Sequence, residues 1–342
     1  MPTLTADGID DLILLTQRNL GSYKWTDIET PLQEYHAMGR LVNKKKVKFE
    51  SGTGIQFQVM VANSGAAKHV GMFETDNVNV ANVMKNANIG WRHTTTNWGY
   101  ERREVLMNAK PSKIVDLVKT RRVDAMSSLA RLMEDTFWSK PSDDTDEKTP
   151  FGIAYYVVKN SSTGFNGGAA AGFASGPAGL SPTTYPGWKN YTDQYAAVSA
   201  SDLIRKMRRA YYFTGFMSPV PQPQYHMGDD LGIYTNYTVL GLMEEALEAQ
   251  NDSLGNDMAS KDGKALFRGV KVMWVPWLEN DTTNPVYGLN WGSLYPTVLS
   301  GDFMTESAPM QSAKQHNMRE VHVDLTWNMC CKDRRKQWVI SL

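Results

Sequence analysis

The chain has 342 residues, which is enough for two or three compact lobes with a sizeable hydrophobic core. Lysine plus arginine equals aspartate plus glutamate at 36 each, so the net charge is zero. This excludes a uniformly basic nucleic-acid-binding protein but leaves room for local patches of either sign. The two cysteines, Cys330 and Cys331, are adjacent and would point to opposite faces of a strand, so we expect buried free thiols, as in a reducing compartment.

The N-terminal segment predicts a docked arm. It has no basic region before its apolar residues and carries Asp7, Asp10 and Asp11, so it does not resemble a signal peptide. The apolar residues of a first short predicted helix are Ile9, Leu12, Ile13 and Leu20. A second short helix is predicted over residues 31–38. The longest apolar runs are far too short to span a bilayer.

Residues 47–100 predict strands and a polar ribbon. Apolar residues with a period of two are Val47, Phe49, Ile55, Phe57, Val59 and Val61. The stretch 63–98 is rich in Asn, Thr and Gly, so it has too little apolar surface to form a core of its own. We therefore expect it to lie on another part of this chain or on a neighbouring molecule.

One long amphipathic helix is predicted over residues 111–139, with Pro111 in its first turn. At about 1.5 Å per residue it would form a rod of roughly 40 Å. Its predicted buried face carries Ile114, Leu117, Val118, Arg121, Ala125, Leu129, Leu132 and Thr136. The opposite face carries Lys113, Asp116, Lys119, Arg122 and Asp124.

The second half of the chain predicts mixed helices and strands. Residues 151–158 resemble a strand, and residues 160–186 are rich in small residues and predict a flexible loop. Two further amphipathic helices are predicted over 201–213 and 237–250. The remaining predicted strands lie near 267–277, 286–291, 295–301, 320–328 and 338–340.

The sequence contains no familiar catalytic or metal-binding motif. It has no Gly-Lys-Ser/Thr phosphate loop, no His-Glu-x-x-His, no Cys-x-x-Cys and no Gly-x-Ser-x-Gly. His322 and Asp324 share one strand face, where a solvent-facing side of the strand is a better interpretation than a ligand pair. We therefore expect neither an enzyme nor a bound cofactor or metal.

The order of these elements resembles the major capsid protein of tailed bacteriophages, which has the Hong Kong 97-type fold. Three short motifs are similar as well: residues 150–153 (Pro-Phe-Gly-Ile), 266–272 (Leu-Phe-Arg-Gly-Val-Lys-Val) and 299–303 (Leu-Ser-Gly-Asp-Phe). The resemblance covers nearly the whole chain as an order of elements. It implies an α+β fold with an N-terminal arm at 1–43, an extended β-hairpin loop at 44–100, a peripheral domain at 101–200 and 310–342 with its spine helix at 111–139, and an axial domain at 201–309.

The same resemblance implies a structural protein. The chain would self-assemble as hexamers and pentamers into an icosahedral shell around a double-stranded DNA genome, within the virion capsid. Assembly would take place in the cytoplasm of the host bacterium, with a portal protein and separate scaffolding or decoration proteins as partners and no membrane. Because the chain starts almost directly at the arm, we expect scaffolding to be separate, absent or already removed.

Packaged DNA would touch the inner face of such a shell without sequence preference. The candidate basic residues, on the arm and the spine helix, are Lys44, Lys45, Lys46, Lys113, Lys119, Arg121 and Arg122. Ordinary solvated surface charges are an equally good interpretation of these residues.

Two other functions stay open at this point. One is an encapsulin-type nanocompartment shell, which shares the fold and encloses an enzyme cargo; the long glycine-rich loop counts mildly against it. The other is a soluble enzyme or ligand-binding protein that uses the tryptophans of its strands. Those tryptophans are Trp274, Trp277, Trp291 and Trp327.

Overall fold

The computed structural model describes residues 35–43, 46–72, 82–107, 117–215, 230–251 and 266–342. The helices in these ranges are α1 (His36–Val42), α2 (Arg102–Met107), α3 (Leu117–Trp138), α4 (Ile153–Tyr156), α5 (Leu203–Thr214) and α6 (Tyr237–Asn251). The first strands are β1 (Lys48–Glu50), β2 (Ile55–Met60), β3 (Met84–Ile89), β4 (Arg92–Glu101), β5 (Gly164–Gly167), β6 (Asn190–Gln194) and β7 (Leu231–Thr235). They are followed by β8 (Leu266–Phe267), β9 (Val270–Trp274), β10 (Val286–Asn290), β11 (Leu294–Leu299), β12 (Thr305–Glu306), β13 (Met310–Gln311), β14 (Met318–Cys331) and β15 (Trp338–Ser341). The first predicted helix and the start of the long helix lie outside the described residues.

A six-stranded sheet is built around β14, the longest described strand. Its order is β1-β11-β14-β12, and β4 and β13 also pair with β14. Val321, Val323, Leu325 and Trp327 of β14 are buried at alternate positions, as their period of two predicted. The helix α3 packs across β4, and its Phe137 ring stacks on Trp327 with centroids 6.1 Å apart. The long helix and this sheet therefore share one core.

A seven-stranded sheet carries the other two long helices. Its order is β5-β6-β15-β10-β7-β9-β8. One face, with Tyr191, Ile233 and Trp338, forms a core with α5 and α6. The opposite face, with Tyr234 and Tyr287, joins the core of α3 through Trp138. The two sheets are thus joined by packing as well as by the chain.

The chain crosses between the two sheets near its C-terminal end. The strand β10 lies in the seven-stranded sheet, whereas β11, which follows after a connection of three residues, pairs with β14. After β14 the chain returns, and β15 pairs with β10 and β6. The segments 201–309 and 310–342 each contribute to both sheets, and the division into arm, loop, peripheral and axial domains stays a prediction.

The predicted strand at 151–158 is wrong, because residues 153–156 form the short helix α4. Gly152 explains this geometry: a side chain there would overlap the carbonyl oxygens of Thr136 and Ser139 at the end of α3. Phe151 stacks on Tyr155 with ring centroids 4.0 Å apart and closes the turn. The Pro-Phe-Gly-Ile motif is therefore a tight joint between α3 and the rest of the core.

The segment 160–186, predicted to be a flexible loop, consists mainly of turns and irregular structure, but it packs into the core. It contains β5 and a 3-10 turn at Pro177–Gly179, and it buries Phe173 and Leu180. Its small residues permit close packing, since Asn190 occupies the space that a side chain on Gly167 would need. The glycine here lets a neighbouring side chain approach the backbone closely.

Among the α3 side chains that the structure describes, burial follows the predicted face except at Leu132. Leu129 is 2% exposed, whereas Leu132 is 50% exposed and lies beyond the edge of the buried arc. The arc extends instead towards Glu134 and Trp138, which α1 and the seven-stranded sheet cover. The expected thiols are confirmed: Cys330 and Cys331 are buried and free, and burial raises the pKa of the Cys330 thiol to about 12.

Candidate functional site

The strands β2 and β3 form a two-stranded antiparallel ribbon with Ile55 opposite Ile89 and Met60 opposite Met84. The buried side chains of this ribbon are Ile55, Phe57, Val59, Ala87 and Ile89. Their neighbours along each strand are exposed and, apart from Met60, polar, which is the alternation of a strand with one solvated face. One face of the ribbon is therefore buried in a core, and the other face is exposed to solvent.

The buried face of the ribbon packs on residues 160–186 of the same chain, which we call the small-residue segment. The strand β3 packs against the 3-10 turn at Pro177–Gly179, and both belong to one hydrophobic cluster with Phe173 and Leu180. The indole nitrogen of Trp91 donates a hydrogen bond to the Gly52 carbonyl oxygen at 2.9 Å and fixes the start of the ribbon. The sequence left open whether the ribbon lies on its own chain or on a neighbouring molecule. The described part of the ribbon lies on its own chain.

The far end of the ribbon exposes apolar side chains. Met60 and Met84 face each other as a cross-strand pair and are 47% and 43% exposed. Residues 61–72 continue beyond this pair without helix or strand, and Met72 is 91% exposed. Flexible, polarisable methionine side chains adapt well to a partner surface. This ribbon tip, consisting of Met60, Met84 and residues 61–72, is a candidate contact surface.

Arg334 holds the small-residue segment to the C-terminal strands. Its side chain is fully buried and donates to five neutral oxygen atoms. These are the carbonyl oxygens of Tyr156, Trp188, Gly167 and Gly168 and the side-chain oxygen of Asn190. Burial lowers the pKa of the Arg334 guanidinium to about 10, so it stays charged at neutral pH. We call Arg334 and these five residues the Arg334 cluster.

The helix α1 is held by a buried carboxylate on the long helix α3. Glu134 accepts hydrogen bonds from the backbone N–H groups of Ala37 and Met38 at 3.2 and 2.8 Å. These donors lie in the first turn of α1, where no residue of the helix itself can accept them. Arg40 stacks over the Trp291 ring, 4.1 Å from its centroid. The long helix α3 therefore also anchors α1.

The structure describes only some of the basic residues predicted to face DNA. Lys44, Lys45 and Lys113 lie outside the described residues, and for Lys119 only the backbone, in α3, is described. Lys46 is exposed. The guanidinium of Arg121 donates to both carboxylate oxygens of Glu104 at 2.8 and 3.2 Å and to Gly99. Arg122 makes a similar two-bond pair with Glu306 at 2.9 and 2.7 Å.

These pairs show that Arg121 and Arg122 on α3 help to hold α2 and β12 in place. Their contact with nucleic acid stays a prediction, and a neighbouring carboxylate weakens the field that each could offer to DNA. Sequence reasoning missed both pairs because Glu104 and Glu306 are far from α3 in the chain. The spacing of residues along α3 indicates which of its side chains share a face. It does not indicate which residues from other parts of the chain contact that face.

No group of three or more potential metal ligands converges anywhere in the described part of the chain. Asp324 lies 3.4 Å from His93 on the neighbouring strand, and His322 is not part of that contact. No described helix is long and apolar enough to cross a membrane.

Comparison with known proteins gives structural matches only. No family model matches the sequence, and no curated protein matches it. The fold is similar to a chain of the cyanophage A-1(L) capsid asymmetric unit, with 17% identity, a TM-score of 0.66 and coverage of 96% of this chain and 98% of that chain. It is similar to the capsid of an empty GTA particle, with 12% identity, a TM-score of 0.58 and coverage of 99% and 98%. The capsid of a native GTA particle matches at 12% identity, with a TM-score of 0.55 and coverage of 93% and 95%.

These matches extend over nearly the whole length of both chains in each comparison, so they concern the complete order of elements. At such low identity they establish the fold alone. The α+β architecture predicted from the order of elements is confirmed: the chain has the Hong Kong 97-type fold found in tailed-phage capsids.

Proposed function

We propose that this chain is a major capsid subunit that self-assembles into an icosahedral shell around a double-stranded DNA genome. The observation that carries the proposal is the similarity of fold to capsid chains over 93–99% of this chain. A fold by itself can serve several functions. The surfaces that this fold leaves uncovered therefore supply the second argument.

The ribbon tip is suited to contact between subunits. Its base is held within the chain by Phe57 and Ile89, so the position of the ribbon does not depend on a neighbour. Its end presents Met60, Met84 and Met72 to solvent. Covering apolar side chains yields about 25 cal/mol per Å² of surface removed from water. In a closed shell each modest contact of this kind is repeated for every subunit and acts together with the others.

The proposal has consequences for partners and location. Subunits would associate as hexamers and pentamers, with a portal protein and, where they exist, separate scaffolding and decoration proteins. The shell would belong to the virion and would assemble in the cytoplasm of the bacterial host. Packaged DNA would meet the inner surface through basic residues such as Lys46 without sequence preference. The chain would act as a structural component and not as an enzyme.

Electron microscopy and sedimentation of the purified protein test this function. We expect closed shells, tubes or ring-shaped capsomers, and the diameter of closed particles separates a virus shell from a smaller nanocompartment. The variant M60S/M84S removes apolar surface from the ribbon tip, and Q58S/N86S changes an exposed polar pair on the same two strands. Both variants should melt like wild type, but only M60S/M84S should assemble poorly. Normal assembly of M60S/M84S would exclude the tip as a subunit contact, and a wild type that stays monomeric with purified scaffold and portal would contradict the function.

A further inference from the structure

The two helices on the seven-stranded sheet carry opposite charge. The helix α5 has four basic residues, Arg205, Lys206, Arg208 and Arg209, and no acidic one. The helix α6 has three acidic residues, Glu244, Glu245 and Glu248, and no basic one. The two helices thus carry opposite local charges, although the net charge of the whole chain is zero.

The helix α5 is amphipathic, and the position of its buried residues determines which residues lie on its exposed face. Leu203, Met207 and Ala210 are buried in the core of the sheet. Because positions three and four apart lie on one face, Arg205, Arg208 and Tyr212 form a stripe on the opposite, exposed face. Among the described residues, no carboxylate lies within ion-pair distance of Arg205 or Arg208. This stripe is therefore a basic surface without a partner in the described part of its own chain.

An ordered aromatic side chain ends this stripe. The Tyr212 hydroxyl accepts a hydrogen bond from the Arg268 guanidinium at 2.9 Å, and the same guanidinium lies 4.3 Å from the Tyr212 ring centroid. Tyr212 is nevertheless 66% exposed. A tyrosine and an arginine that are held in place before binding lose little entropy in a contact, and both residue types are enriched at the centres of protein interfaces.

The helix α6 presents acidic and apolar side chains that are complementary to the basic stripe of α5. Glu245 and Leu242 are exposed on α6, and Glu244 is half-buried beside them. The helix α5 packs over β6 and β15, towards one edge of the sheet, whereas α6 packs over β9, towards the other edge. The basic and acidic stripes therefore lie on two different helices over the same face of the sheet. A contact between the basic stripe of one copy and the acidic stripe of another joins two different patches of the subunit, and such head-to-tail contacts form rings when the rotation between copies closes.

We propose that the basic stripe of α5 (Arg205, Arg208 and Tyr212) binds the acidic stripe of α6 (Leu242, Glu244 and Glu245) on a second copy of this chain. The proposal rests on the proposed function, because it identifies one contact between shell subunits. Charge complementarity favours a second copy over nucleic acid, since the same chain displays both signs. The aromatic and leucine side chains supply apolar area that a contact with phosphate groups would not bury.

Charge exchange between the two stripes tests the proposal. R205E/R208E would place acidic side chains opposite an acidic stripe, and E244K/E245K would place basic side chains opposite a basic one. Each variant should raise the concentration at which half of the protein assembles by about tenfold or more, because like charges in an interface repel. The variant that combines all four substitutions restores opposite signs and should return that concentration to near the wild-type value.

A matched control reverses charge elsewhere. K148E/K314E changes the net charge as much as R205E/R208E does, at exposed positions away from both helices, and should assemble like wild type. All variants are first compared by thermal melting, so that a folding defect is not mistaken for an assembly defect; if R205E/R208E melts early, the milder R208S replaces it. Sedimentation at several protein and salt concentrations then gives the assembly midpoint.

The outcomes separate this proposal from the proposed function. Weak assembly of both charge reversals with rescue in the combined variant supports the contact. Wild-type shells together with unaffected reversals, or reversals that the combined variant does not rescue, would overturn the contact while leaving the capsid function intact. If R205E/R208E assembles normally but its shells retain less DNA, the stripe binds nucleic acid and the proposal is wrong. A wild type that never associates would overturn both.

Discussion

The Arg334 cluster and the ribbon both contain many polar groups, yet they use them in opposite ways. In the Arg334 cluster the buried guanidinium donates to five oxygen atoms of this chain. In the ribbon one face is buried, whereas the other face and the tip meet solvent. Polar residues thus hold the first region together internally and leave the second region free for association. Substitutions in the Arg334 cluster should therefore lower the stability of the subunit, whereas substitutions at the ribbon tip should change its assembly.

The largest loss of stability is expected for Arg334→Met. The methionine fills much of the space but donates nothing, so five buried oxygen atoms lose a hydrogen bond, at about 1 kcal/mol or more each. We expect the free energy of unfolding in urea to fall by about 5 kcal/mol, and the variant to be largely insoluble if the subunit is no more stable than an ordinary domain.

Arg335→Met is the matched control. The Arg335 side chain is partly exposed and pairs with Asp333 at 3.1 Å. An ion pair of this kind contributes less than about 1 kcal/mol. If Arg334→Met lowered the free energy of unfolding as little as Arg335→Met, position 334 would tolerate an uncharged side chain. The cluster would then not hold the segment 160–186 in place.

A smaller loss of stability is expected for Leu129→Ala on α3. Leu129 is 2% exposed, and truncating a buried leucine costs about 2–5 kcal/mol. Leu132→Ala removes the same atoms from a side chain that is 50% exposed, so it should cost less than about 1 kcal/mol. Urea denaturation of the two variants measures the difference. Similar values would mean that Leu132 is covered in the folded subunit in solution.

The strand β10 offers a third test of close packing. Gly288 lies opposite Trp338, and a side chain at position 288 would overlap the indole ring. Gly288→Ala should therefore destabilise the subunit by about 1–3 kcal/mol. Gly187→Ala is the control, since Gly187 is exposed and nothing lies within 4 Å of an added side chain. Unchanged thermal melting of Gly288→Ala would show that Trp338 can move aside.

The fold was largely predictable from the sequence because its strands and helices follow clear periods. The alternation Val321, Val323, Leu325 located β14, and the face that contains Leu129 located α3. The segment 160–186 was not predictable, because small residues are typical both of flexible loops and of close contacts. Only the structure shows that Gly167 is small because Asn190 occupies the adjacent space.

The candidate surfaces were predictable only in part. The polar composition of the ribbon indicated that it must lie on something, but exposure of Met60 and Met84 depends on register and on where the core ends. The basic residues of α3 were selected by position along the helix, and the sequence gives no sign that Glu104 and Glu306 lie opposite two of them. Pairing between distant charges is set by tertiary structure.

The smallest effect is expected at Asp202, which precedes α5. Lys206 and the backbone N–H groups of Ala197 and Ala196 hold the pKa of its carboxyl group at about 2, below its ordinary value of 3.8. A depressed pKa in the folded state contributes stability that is present above the ordinary value and lost as the pH falls through about 2. Asp202→Asn should therefore melt slightly below wild type at pH 5, and the gap should close between about pH 4 and pH 2. Thermal melting across this range measures the gap, and a gap that stays constant with pH would show that the ionised carboxylate does not stabilise the start of the basic helix.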